Sequence, residues 1–258
     1  MTDATNPTAP LGVGAIISES FSILSKNFVA VVILAAIPTF IGLAVSGVLL
    51  GWSVALGTAD PEQTLDAFAG PGIGITFGLS MIVQFAIYGL IVALLVQLAY
   101  NAKLGRPISV GEYFGPALSS ALPIAILFIA ISILASIGLV FLIIPGLWIY
   151  AVFFVTAPAV AIERVGFGGM GRSAELTKGY RWPIVGLFLV IAIFFIVLGF
   201  ITQFLAAAIG GIVVALIITV FVNSIAYGIS GIATALAYAR LREIKEGVGV
   251  DDIVNVFE

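Results

Sequence analysis

The sequence predicts an all-α, polytopic membrane protein: six transmembrane helices in three hairpins, each hairpin preceded by an amphipathic helix lying along the cytoplasmic membrane surface. Three observations predict it. Apolar residues make up 62% of the 258 positions and charged residues 9%, with a mean hydropathy of +1.27, whereas soluble domains hold roughly 45–50% and about 25%. Long apolar blocks recur, and at about 20 residues per span six fit the chain with their connections. The ten basic residues are Lys26, Lys103, Arg106, Arg164, Arg172, Lys178, Arg181, Arg240, Arg242 and Lys245. All fall on one side of a six-span thread, and the opposite turns (57–71, around 144–146 and 207–211) hold none. The positive-inside rule makes that side cytoplasmic, with both termini on it. An odd number of spans would break this segregation.

Residues 1–12 carry no basic residue ahead of the first apolar stretch, so they do not read as a cleaved signal peptide. Met1 is read as the mature start and 1–12 as a disordered N-terminus. The single membrane domain then runs over 13–245, and 246–258 form an acidic tail with Asp251, Asp252 and Glu258. From Leu11 to Phe28, Ile17, Phe21, Leu24 and Phe28 follow helical spacing opposite Ser18, Glu19, Ser22, Ser25 and Lys26, which predicts an interfacial helix. Residues 29–56 form the first span, with Pro38 as a kink and Trp52 toward its far end. The connection 57–71 carries Asp60, Glu62 and Asp66. Span two runs from Ile73 to Tyr100, and Pro107 stops it after Lys103 and Arg106. Ser109 and Glu112 have the spacing of a capping box, opening a second interfacial helix with Val110, Tyr113, Phe114, Ala117 and Leu118 along one side.

Span three occupies about 122–143, turns at Pro145-Gly146 and returns as a short span four over 147–162. The polar interval 162–183, IERVGFGGMGRSAELTKGYRWP, is the third surface helix. As a helix it puts Arg172, Glu175 and Lys178 on one face and Phe167, Met170 and Ala174 on another. Span five (184–206), a Gly210-Gly211 turn and span six (212–239) follow. The recurring order suggests an ancestral helix-plus-hairpin unit, repeated as 13–105, 109–165 and 167–245; convergent demands at a membrane edge give the same pattern.

The residues exclude most chemistry. There is no cysteine and no histidine, which removes thiol chemistry and the usual ligands of zinc, haem and copper, and no cofactor is expected. The spans offer no Asp, Glu, Lys or Arg for acid–base, nucleophilic or proton-coupled work. A net charge of −3 gives no reason for a nucleic-acid partner. Two sets of residues carry the functional expectations. Arg172, Lys178, Arg181 and Trp182 are candidates for contact with lipid headgroups or a partner, since basic residues on such helices attract anionic headgroups. Gln97, Gln203 and Asn223, with Gln84, Asn101, Thr219, Ser224 and Thr234, either line a polar path or hydrogen-bond between helices. Gly47 with Gly51, and Gly74 with Gly78, have the G-x-x-x-G spacing of close helix packing.

The pattern I-P-G-L-W at 144–148, A-P with Glu163, and R-S-x-E-L-T-K-G at 172–179 resembles the membrane domain fused to some glycerophosphodiester phosphodiesterases, and related six-helix bacterial inner-membrane proteins. The likeness covers most of the chain in layout and 140–190 in motif. It implies a bacterial inner-membrane protein tied to lipid metabolism or envelope upkeep. It does not carry over phosphodiesterase activity, which belongs to a soluble barrel with acidic and histidine residues. The resulting expectation is a non-enzymatic lipid-contacting scaffold or accessory subunit, with membrane lipids and a larger membrane complex as partners. A carrier or channel for a neutral or lipid-like substrate is the alternative.

Overall fold

A computed structural model of the chain describes residues 9–69 and 72–247. Among these residues every regular element is helical, as expected where backbone donors and acceptors must be satisfied within their own segment. The order is α1 (Val13–Lys26), α2 (Phe28–Leu50), α3 (Trp52–Ala55), α4 (Pro61–Ala69), α5 (Ile73–Lys103), α6 (Phe114–Phe141), α7 (Ile143–Val152), α8 (Thr156–Glu163), α9 (Gly169–Leu176), α10 (Arg181–Ile209) and α11 (Ile212–Glu246). Short 3-10 turns cover Val110–Tyr113 and Gly166–Gly168. Six segments are long and apolar enough to cross a membrane: Phe28–Leu50, Ile73–Lys103, Val110–Val140, Ile143–Glu163, Arg181–Ile209 and Ile212–Glu246.

Proline sets several of the boundaries. Pro116, Pro145, Pro158 and Pro183 each stand third in their helix, opening α6, α7, α8 and α10. There the missing N–H is one of the donors a helix start leaves free anyway; further in, it would orphan a carbonyl and the ring would clash with it. Pro158 therefore splits the fourth candidate span into α7 and α8.

The C-terminal half of α11 is the axis of the fold. Gly228 to Ala239 is buried without interruption, and α11 packs against α1, α2, α5, α8, α9 and α10. Its sequence there, GISGIATALAYA, alternates small and branched residues, which lets several backbones approach closely without a hydrophobic drive between helices. A Cβ on Gly228 would stand 2.6 Å from Val31, and one on Gly231 2.8 Å from Leu95. Away from the axis apolar side chains face outward, including Ile193, Ile196, Phe200 and Phe204 of α10, a continuous apolar belt that a soluble monomer would not expose.

Several expectations change. The interval 162–183 is not one helix: α8 ends at Glu163, Arg164 takes a left-handed conformation (φ 53), and α9 holds only eight residues before Gly179 (φ 86) turns the chain into α10. The capping box is absent, because Ser109 makes no side-chain cap and the chain enters a 3-10 turn. The second surface helix is not separate either; α6 continues from Phe114 into the span and takes Pro123 within it. In α1 the buried stripe is Ile16, Ser20, Ile23 and Leu24, while Phe21 is exposed against Phe194 (ring centroids 5.7 Å). The turn before span four falls at Leu142, ahead of Pro145. The connection 57–71 contains α4, whose Gln63 N–H donates to Asp60 Oδ1 at 2.7 Å, an N-cap followed by proline.

Neither G-x-x-x-G pair joins two long helices. A Cβ on Gly47 would meet the ring of Trp52 just downstream, and Gly51, Gly74 and Gly78 have open space. Close packing uses Gly89 against Ile124, Gly138 against Gly146, and the two glycines of α11. The helix of span six runs beyond 239 as far as Glu246, taking in ARLREIKE. Residues 1–8 of the N-terminus and 248–258 of the acidic tail lie outside the described residues.

Gly231→Val forces a branched side chain onto Leu95, and we expect it to cost about 1–3 kcal/mol. Thermal unfolding in detergent checks this, with Gly186→Val as the control, since nothing lies within 4 Å of a Cβ at Gly186.

Candidate functional site

The break between α7 and α8 leaves the last carbonyls of α7 without helical partners. In an apolar setting such groups must find donors. Ser173 Oγ and Thr177 Oγ1 of the α9 segment both donate to Val152 O, at 2.9 and 3.0 Å, and Thr156 Oγ1 donates to Phe153 O at 2.8 Å. Ser173, Leu176 and Thr177 are buried accordingly. Much of the R-S-x-E-L-T-K-G pattern is thus the part that holds α9 to the interrupted span.

Its first residue, Arg172, belongs to a charged lock around Glu163. Arg172 Nε donates to both carboxylate oxygens of Glu163, at 2.9 and 2.7 Å, and its terminal nitrogen pairs with Glu246. Tyr238 Oη donates to Glu163 Oε1 at 2.5 Å. Arg242 Nε lies 2.8 Å from Glu246 Oε2 and 3.7 Å from Glu163 Oε1. Two cations, two anions and a phenol therefore tie α8, α9 and the end of α11 together. Burial works against the Arg172 charge, but the hydrogen bonds and charges of Glu163 and Glu246 outweigh it and push its pKa up. Glu163 stands 75 residues before Tyr238, so only the Arg242–Glu246 pair, at i,i+4, left a signal of the lock in the spacing.

The other candidates fall differently. Lys178 is exposed. The Arg181 guanidinium carbon lies 5.4 Å from the centroid of the Trp148 ring, a cation–π arrangement, and Trp182 meets Trp148 edge-on at 5.4 Å. Trp182 is 63% exposed. Arg181 Nε is buried without a hydrogen-bond partner. Arg172 is thus drawn into the protein, Arg181 and Trp182 meet at Trp148, and Lys178 stands exposed.

The polar-path candidates do not share a cavity. Gln97 Nε2 donates to Tyr113 O at 3.1 Å and borders a pocket with Arg106 and Arg164; Gln203 Nε2 reaches Leu56 O at 3.4 Å beside Gly57 and Gly210; half-buried Asn223 borders neither. Gln84 donates to Ser46 Oγ at 2.8 Å, Ser46 and Ser80 are 3.0 Å apart, and Asn101 donates to Tyr113 Oη at 2.7 Å. Thr234 and Ser224 bond back into their own helix. Among the described residues no cluster of three or more His, Cys, Asp or Glu is placed to hold a metal ion.

A feature that sequence reading missed lies inside. A partly open pocket of about 400 Å³ lies among α5, α6, α7, α8, α10 and α11, with the α7–α8 break at its wall. Phe85, Tyr88, Phe128, Phe153, Phe188 and Tyr227 are among its aromatic lining. Tyr88 Oη and Ser230 Oγ lie 3.4 Å apart, and Ser132, Tyr150, Tyr227 and Thr234 also line the space.

Removing the shared carboxylate should unlock α9. Glu163→Ala is expected to lower stability by about 1–3 kcal/mol, below the fully buried limit because the pairs keep some solvent contact. A double-mutant cycle of Glu163→Gln with Arg172→Gln should give a coupling of about 1 kcal/mol or more, read from unfolding midpoints, with Lys178→Gln near neutral. In comparisons with known proteins, no family model, curated protein or solved structure matches this chain.

Proposed function

We propose that this chain is a non-enzymatic, multi-pass protein of the bacterial inner membrane, acting as a lipid-contacting scaffold or accessory subunit of a larger membrane complex. In this reading it threads as three hairpins, with both termini, α1, the first turns of α6 and all of α9 on the cytoplasmic side. The observation that carries it is the arrangement of Arg181. Its guanidinium rests on Trp148, whose ring also meets exposed Trp182, and pairs with no carboxylate among the described residues, whereas Lys103, Arg172, Arg240 and Arg242 all have acidic partners. Cations left free at a membrane edge attract anionic headgroups at ~1 kcal/mol each, and tryptophan favours the same layer. The motif likeness to membrane domains of the glycerophosphodiester phosphodiesterase family agrees with such a lipid-facing role. The internal cavity supports a second reading, a carrier for a lipid-like substrate, although Gln97, Gln203 and Asn223 do not line it.

Lipid contact should appear as headgroup-dependent stabilisation. Phosphatidylglycerol is expected to raise the unfolding midpoint more than phosphatidylcholine with the same chains. Arg181→Gln combined with Lys178→Gln should remove most of that difference; equal shifts in the unaltered protein would overturn the reading.

The threading has its own test, made clean by the absence of cysteine. In intact bacteria a membrane-impermeant maleimide should label Glu62→Cys but reach Lys178→Cys only after lysis. The reverse pattern would invert the proposed orientation.

A further inference from the structure

The central cavity and the unpartnered Arg181 lie along one seam. Tyr150 of α7 and Phe188 of α10 both border the cavity and stack face to face, with centroids 5.3 Å apart and planes 10° apart. Along α10, Arg181 stands seven residues before Phe188, hence on the same face and ~10 Å farther along the axis. Trp148, two residues before Tyr150, carries the Arg181 guanidinium. The α7–α10 contact thus holds a cation without a carboxylate at one point, over Trp148, and borders the aromatic chamber at another, through Tyr150 and Phe188 about two turns farther along α10.

The chamber's chemistry selects its occupant. Most of its lining is apolar; Tyr88, Ser230 and Thr234 hydrogen-bond within the protein, and Ser132, Tyr150 and Tyr227 add the few other hydroxyls. Apolar pockets of this volume with a few placed polar groups commonly hold small hydrophobic ligands. With ~30 Å³ for each water-sized group, about 400 Å³ has room for roughly a dozen, the scale of one hydrocarbon chain rather than of a whole two-chain lipid.

We infer that the cavity holds one acyl chain of an anionic glycerophospholipid, inserted along the α7–α10 seam, with the headgroup phosphate at Arg181. This inference rests on the lipid-contact reading above and deepens it. It gives that contact a defined stoichiometry of one lipid and a chain-length requirement that a surface headgroup site lacks.

Native mass spectrometry of the full-length protein, delipidated and titrated with short- and long-chain phosphatidylglycerols and long-chain phosphatidylcholine, tests it. The expected result is one retained long-chain phosphatidylglycerol, at least about tenfold tighter than the short-chain form. Ala192→Trp, which fills the cavity from α10, and Ser132→Phe, which fills it from α6, should each abolish the chain-length dependence. The second variant answers for the first should one fail to fold. Arg181→Gln should lose the preference for phosphatidylglycerol over phosphatidylcholine while keeping the dependence on chain length. Chain-length dependence that survives both filling variants would overturn the cavity assignment, as would its absence in the unaltered protein. If long-chain phosphatidylglycerol and phosphatidylcholine bind the unaltered protein equally, the headgroup reading fails separately. Co-purification of an isoprenoid chain from the native membrane in place of a glycerophospholipid would overturn the choice of an acyl chain.

Discussion

The need to satisfy backbone groups at the interruption of the fourth span governs much of this structure. Pro158 cannot continue α7, because it brings no N–H and crowds the carbonyl four residues back. The chain therefore breaks at residues 153–155, and the freed Val152 carbonyl takes two hydroxyl donors from the α9 segment. Seating Ser173 and Thr177 there fixes the segment in place. Arg172 is then within reach of Glu163 and Glu246, and Arg181 begins α10 beside Trp148. The same break turns Phe153 and Phe154 toward the central cavity. One proline thus connects the charged lock, the edge cluster and the chamber.

Around that break the packing is uneven. The half of α11 from Gly228 to Leu241 and the facing half of α5 from Ile91 to Tyr100 are almost wholly buried, and the charged lock closes over the same end. Small residues permit the close approach; the ion pairs and hydroxyl bonds then specify the register, which dispersion between apolar helices does poorly by itself. Farther along, α10 and the first half of α11 present large side chains outward. A folded core at one end and an apolar belt elsewhere suit a bilayer better than water.

What could be read from the sequence follows from what is local. Six long apolar segments are legible because hydropathy averages over a window, and the Gly210-Gly211 turn is legible because both residues take positive φ (73 and 84). Two features had local signals that were passed over: Asp60-Pro61 announced α4, and Pro158 announced the break. The reading of 162–183 as one amphipathic helix failed because periodicity cannot register a left-handed Arg164 or the buried hydroxyls of Ser173 and Thr177, polar residues that face inward to reach a carbonyl. Glu163 was legible as an edge carboxylate, not as the hub of a network reaching Tyr238 and Arg242. The pocket left no trace, since its walls come from six helices and its aromatic residues look like any others on an apolar segment.

The distribution of charge at this end narrows the functional question. A cluster of basic residues reads in sequence as one cationic surface, but side chains already paired with carboxylates have little attraction left to offer an outside anion. Arg172, Arg242, Arg240 and Lys103 are paired in this way, and Lys245 donates to the Glu175 carbonyl at 3.3 Å. Arg181 differs in kind. Its charge is held over an aromatic face, which positions the guanidinium without neutralising it, and its Nε is withdrawn from solvent without compensation. A guanidinium placed in this way keeps the charge that Arg172 and Arg242 share with carboxylates, and that is the physical difference between Arg181 and the arginines of the lock.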